Sequence, residues 1–152
     1  MSFKIAFLKT DADKVEELYQ ILHLSNLARK NGGVLGPAHP CGQAYMSFAN
    51  TKRFYKNPEI MKRFDFVEVF NACEPIEVNE MAAKLAYKYG KPGVGGSDAH
   101  NATSCGMAYT ELPEPITCET ELIELIRKKD IKCYQMLKSN WEDKYPEYFT
   151  YE

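Results

Sequence analysis

Twice along this chain a strand-like run is followed by an amphipathic helix, a glycine stop and a second strand-like run. The first set is FKIAFL, DADKVEELYQILHLSNLARKNGG and VLGPAHP; the second is FDFVEVFN, PIEVNEMAAKLAYKYGKP and PGVGGSD. In the second helix Val78, Met81, Ala82, Leu85 and Tyr89 recur on one stripe, with Glu77, Glu80, Lys84 and Lys88 on the other, and Gly90 and Pro92 end it. Alternation of this kind implies an α/β fold with mostly parallel strands. The looser stretch between the sets holds Asn57-Pro58-Glu59, which reads as a helix cap with proline at the first helical position and a short helix to about Phe64. Downstream, Thr117 is placed to cap a helix carrying Leu122, Leu125 and Ile126, and IKCYQML reads as the last strand.

The 152 residues suit a single domain, 1–152, with no linker, repeat or low-complexity tract. Its 19 Lys and Arg nearly balance 21 Asp and Glu, so long-range attraction favours neither nucleic acid nor an anionic membrane as a partner. The opening MSFKIAFLKTDAD is too quickly charged for a secretory signal, and no apolar run of about 18 residues occurs, which makes a cytoplasmic location the expectation. Five cysteines with no C-x-x-C pair read as reduced thiols, against both a zinc knuckle and a disulfide framework. The same lack of pairing weighs against a thiol redox protein, and the Asn101-Ala102-Thr103 sequon reads as chance.

Parallel sheets gather their polar chemistry at the carboxyl ends of the strands. Three such ends stand out: Pro37-Ala38-His39-Pro40, Glu68-Val69-Phe70-Asn71 and Ser97-Asp98-Ala99-His100. In an extended strand Asp98 and His100 would point to the same side about 6.6 Å apart and converge on one object, although an isolated D-x-H is more often a plain strand end. A carboxylate with imidazoles suits Zn, Mn or Fe better than Mg. His39 precedes a proline, which favours extended backbone there. Val67 and Val69 fit an outward, helix-covered side of their strand, leaving Glu68 inward with Phe66 and Phe70, where a cation or a lysine would relieve its burial. His23 falls with Glu16, Gln20 and Lys30, opposite Leu18, Ile21 and Ser25, and should face solvent. Cys41 and Cys105 lie near His39 and His100 in sequence but are left out of the ligand set, small buried hydrophobes being the commoner role of free cysteine.

Taken together, GGVLGPAHP, FVEVFNA, LAYKYGKPGVGGSDAH and GMAYTEL resemble the C-terminal half of a PHP domain, the polymerase and histidinol phosphatase superfamily, over about Leu18 to Tyr134. The resemblance rests on the order and spacing of these pieces. It implies a distorted (β/α) barrel of seven strands with up to three divalent metals at its carboxyl-end mouth, in a family whose members are typically phosphoesterases. His39, Asp98 and His100 match family metal ligands, with Asp98 and His100 the expected catalytic pair; Glu68 and Asn71 match a strand motif that lines the site. The family's opening H-x-H and a further Glu and His have no counterpart among the three histidines here. At roughly 30 residues per βα unit the chain builds about five units, so the expected architecture is a partial, open PHP-type barrel, followed by an aromatic-rich tail over 139–152.

The expected function is therefore hydrolysis of a small phosphorylated substrate by metal-activated water, with Zn, Mn or Fe bound below the family's full complement and activity low or absent in the chain alone. A non-catalytic PHP module for metal binding or protein association is the alternative. An incomplete barrel also leaves strand edges unpaired, which points to a homodimer or to a missing N-terminal half.

Overall fold

The two strand–helix–strand sets appear where the periodicity predicts them in a computed structural model, which describes residues 5–8, 16–43 and 47–135. Strand β1 (Ile5–Leu8) is followed by helix α1 (Glu16–Lys30) and strand β2 (Val34–Pro37), and β1 and β2 pair in parallel. The Gly-Gly stop of α1 works as expected, with the Gly33 N–H closing onto the Ala28 carbonyl at 2.7 Å. As predicted, His23 is exposed while Ile21 and Ser25 are buried. Strand β3 (Val67–Asn71), helix α3 (Ile76–Lys88) and strand β4 (Gly93–Gly96) form the second set, again with parallel strands. Gly90 ends α3 in the left-handed conformation at φ +60°, which glycine adopts without the Cβ penalty, and Lys91 N–H then reaches back to the Ala86 carbonyl at 2.9 Å.

Between the sets lie a 3-10 turn (Phe48–Asn50), helix α2 (Lys52–Lys56) and a 3-10 helix (Pro58–Arg63). Proline does open the last of these, but it is 3-10 rather than α, and the Asn57 side chain caps nothing. Helix α4 (Glu119–Lys128) likewise starts without a capping hydroxyl acceptor. Instead Glu121 turns back and accepts from the Thr117 N–H at 2.6 Å and from its hydroxyl, the reverse of the predicted arrangement. Strand β5 (Ala108–Glu111), not anticipated from the sequence, pairs antiparallel with β6 (Lys132–Gln135).

The described strands therefore form three two-stranded sheets, two parallel and one antiparallel, and no closed barrel. Side chains stitch across the breaks. Asp65, just before β3, takes both backbone groups of Leu35 in β2: its N–H donates to the Leu35 carbonyl at 2.7 Å and its carboxylate accepts the Leu35 N–H at 2.9 Å. Thr110 does the same for Gly95, accepting its N–H at 2.9 Å and donating to its carbonyl at 3.1 Å, so β5 sits against β4 through one hydroxyl.

The main core joins Leu35, Phe48, Met61, Phe64, Val67 and Val69 between α1, α3 and the sheets. A second cluster sets Ile123 and Ile126 of α4 against Val34, Phe66 and Val94. Each such fully buried side chain contributes roughly 1.5–3 kcal/mol. The buried stripe of α3 keeps the predicted Val78 and Ala82, with Leu85 and Tyr89 packed against the core, but Asn79 and Ala86 join it and Met81 is 49% exposed. Asn79 is there because its amide is required inside. The tail 139–152 lies outside the described residues.

Candidate functional site at the strand ends

Strands β3 and β4 end side by side, with Asn71 paired to Gly96, so the residues that follow each strand meet. A register irregularity between Glu68 and Phe70 shifts the ladder there. Val67, Glu68, Val69 and Phe70 are all buried, so the expected outward and inward sides are both covered. Among the described residues, the hydrogen-bond donors that reach Glu68 are neutral. Its carboxylate accepts the His39 N–H at 2.6 Å and the Asn71 side-chain amide at 3.2 Å. Gly96 makes room for it, since a Cβ at that position would stand 2.6 Å from the Glu68 carboxylate oxygen.

Asn71 is the hub. Its amide nitrogen also donates to the Asp98 carboxylate at 3.3 Å, joining two acidic groups through one neutral donor. Its amide oxygen accepts the Cys73 N–H at 2.8 Å, the Asx turn that lets the chain leave β3. Its main chain is held from α3: Asn79 accepts the Asn71 N–H at 2.9 Å and donates to the Asn71 carbonyl at 3.0 Å, taking the part of a neighbouring strand. Cys73 in turn directs its thiol at the Ser97 and Asp98 carbonyls.

Electrostatics follow from this crowding. Burial pushes the Glu68 carboxyl above its ordinary range, Asp98 adding to the effect and the hydrogen bonds from His39 and Asn71 opposing it. Glu74 is raised by burial and Asp98, against the nearby His39 ring, and the Cys73 thiol is raised by burial and then by Asp98, Glu74 and Glu68. Glu74 belongs to the same acidic rim, and sequence reasoning missed it. The only signal was its place in N-A-C-E-P, where an Asx turn runs into a helix-opening proline.

Two predicted conformations are corrected. His39 has φ +29° rather than extended backbone, and Asp98 has φ +46°, so the D-x-H segment is not a strand continuing β4 and the same-side argument for Asp98 and His100 fails. Non-glycine residues held there cost of order 1–3 kcal/mol unless their surroundings fix them. For His39 the fixing contacts are its N–H on Glu68, its Nδ1 beside Ser47 Oγ at 3.3 Å, and its carbonyl on the Gly42 N–H. The structure thus brings His39, Glu68, Asn71 and Asp98 to one rim. His100 is exposed and, among the described residues, makes no hydrogen bond to that network. Among the described residues no group of three or more His, Cys, Asp and Glu is arranged to hold a metal ion. Cys41 is buried, as predicted for a small hydrophobe, while Cys105 is exposed. No helix among the described residues is long and apolar enough to cross a membrane.

Fold and rim together define an α/β chain with a buried carboxylate–amide network at the ends of adjacent parallel strands. Residues 77–131 match a family model described as PHP-associated, so this part of the chain carries the signature of a PHP C-terminal region, as the resemblance implied. No curated protein and no solved structure matches the chain.

Proposed function

We propose that this chain is the C-terminal part of an open PHP-type barrel and supplies half of a phosphoesterase centre, with little or no activity alone. The observation that carries this reading is the Glu68–Asn71–Asp98 network. It holds two residues in left-handed backbone, His39 and Asp98, at the strand-end rim where α/β folds place their sites. His39, Asp98 and His100 are the residues that would hold a divalent cation of the Zn, Mn or Fe class, and Glu68 and Asn71 wall the site. A cation bound there would lower the pKa of a water to about 7 and offset charge gathering on phosphoryl oxygens. The chain's own contribution is to hold the acidic groups together, with Glu68 and Asn71 buried and Asp98 partly exposed at the rim. The remaining ligands would come from an N-terminal half or a second copy.

A second reading, a non-catalytic PHP module, is favoured by the way the Asn71 amide bridges Glu68 and Asp98. Metal content after chelator-free purification, together with hydrolysis of nitrophenyl phosphate in added Mn, separates the two. Weak, substoichiometric metal lost in Asp98→Ala, with negligible turnover, is the expected result. Equal metal in wild type and Asp98→Ala would leave the scaffold reading, and robust turnover abolished by Asp98→Ala would show the centre complete within this chain.

A further inference from the structure

At the amino end of β4 the closing turns of α3 and α4 border a cavity of about 390 Å³. Gly93 opens β4 there and Gly96 ends it at the rim, so the two sites lie at opposite ends of one strand, roughly 10 Å apart along it. Ala86, Pro92 and Ile131 give the cavity buried apolar walls, and the Tyr87 side chain, 89% exposed, stands beside them. Lys91 and Lys129 line the same cavity. Lys91 is partly buried, and Lys129 caps α4 in left-handed backbone at φ +61°. The Lys129 ammonium reaches back to the end of α3, where a Cβ on Gly90 would stand 3.8 Å from Nζ. Two positive charges therefore share one mouth.

Lysines at helix ends ordinarily offset the macrodipole and bond the last carbonyls. Here those carbonyls are closed by main chain: Gly90 and Lys91 N–H reach the Tyr87 and Ala86 carbonyls at 3.0 and 2.9 Å, and Lys129 and Asp130 N–H reach those of Ile126 and Leu125 at 3.1 and 3.0 Å. The Lys91 ammonium donates to the Lys62 carbonyl at 3.2 Å, and among the described residues neither lysine pairs with a carboxylate. Burial pulls the Lys91 amine below its ordinary range; Asp65 opposes this, while Arg29 and Lys129 add to it, so like charges press on one another at this mouth. We propose that the cavity binds a small phosphate monoester carried on a single flat ring, with Lys91 and Lys129 holding the phosphate and Tyr87, Pro92 and Ile131 against the ring. Such an ester carries close to two negative charges at neutral pH, which matches two ammoniums, and lysine binds phosphate as a point charge. A carboxylate would offset half as much. The volume lies at the lower end of ordinary ligand pockets, roughly 300–1,000 Å³, and suits one ring with its phosphate. The site does not depend on a cation at the rim.

Titration calorimetry of the full chain with phenyl phosphate tests this, at low salt and in chelator so that no cation at the rim draws the ester. Saturable binding is expected, weakened about fivefold by Lys129→Gln at the exposed position and about tenfold by Lys91→Gln at the partly buried one. Lys52→Gln/Lys56→Gln removes two exposed charges from α2 and should change the affinity little. Tyr87→Ala should weaken phenyl phosphate while leaving inorganic phosphate, the poorer ligand, as it was. Circular dichroism checks each fold, and Lys129→Gln and Tyr87→Ala, both at exposed side chains, carry the test if Lys91→Gln unfolds. Absence of saturable binding, or an equal loss in the α2 variant, would overturn the proposal. So would inorganic phosphate binding as tightly as phenyl phosphate, which removes the ring, or benzoate doing so, which removes the phosphate.

Discussion

Removing the hub amide is the sharpest perturbation of the strand-end rim. Asn71→Ala deletes two donations to carboxylates, at 3.2 and 3.3 Å, and the acceptance of the Cys73 N–H at 2.8 Å. Asn71 is 2% exposed, so water cannot readily replace the donor between Glu68 and Asp98. Hydrogen bonds to charged groups contribute about 1.5–3 kcal/mol each, and these two are long, so the lower end applies. Cys73 is exposed and its N–H can turn to water, which keeps the third loss small. The expected destabilisation is about 3–4 kcal/mol, or a fall in Tm of about 10 °C for a chain of this length. Urea unfolding followed by far-UV circular dichroism at pH 7 measures it. Asn71→Asp is the companion: a new carboxyl facing Glu68 and Asp98 has its folded pKa raised above the unfolded value. Its stabilising protonated form is therefore present at low pH and lost as pH rises, so the deficit should be larger at pH 8 than at pH 5. A loss below about 1 kcal/mol for Asn71→Ala, or a pH-independent deficit for Asn71→Asp, would refute the account of Asn71 as the donor that reconciles buried Glu68 with partly buried Asp98.

Two further outcomes follow from the same electrostatics. Because burial raises the Glu68 pKa in the folded chain, stability is favoured below the unfolded carboxyl range and declines as pH rises through the folded value; Glu68→Gln should gain on wild type between pH 4 and pH 8, as read by urea midpoints. Thiol labelling of the native chain with an aromatic disulfide should modify Cys73, Cys105 and Cys118 while sparing Cys41 and Cys133, whose burial pushes them up to about 11 and about 12, and all five should react in denaturant.

The strand–helix–strand sets were legible because their helices repeat near 3.6 residues and end in glycine, signals that survive in any context. The inward place of Asn79 on α3 was not, because it is set by Asn79 bonding the main chain of Asn71, and a polar residue on an inward face gives no periodic signal. Strand β5 escaped notice because only Ala108 of its four residues is buried. At the rim, sequence order placed Glu68, Asn71, Asp98 and His39 together correctly. It misjudged how they face, since φ +29° at His39 and φ +46° at Asp98 depend on long-range contacts that a proline rule or a strand period cannot report.

The pair of hydrogen bonds between Asp65 and Leu35 bears on how this molecule meets its neighbours. In a strand the N–H and C=O of one residue point to the same side, so the two groups of Leu35 that Asp65 occupies are those β2 would offer to an additional strand. Pro37 brings no donor of its own, and Arg29 stands 3.8 Å from the Asp65 carboxylate. One residue, through its main chain and its carboxylate, thus acts as a plug on that margin of the sheet, and amyloid-like or domain-swapped growth from β2 would first have to pull an aspartate out of place.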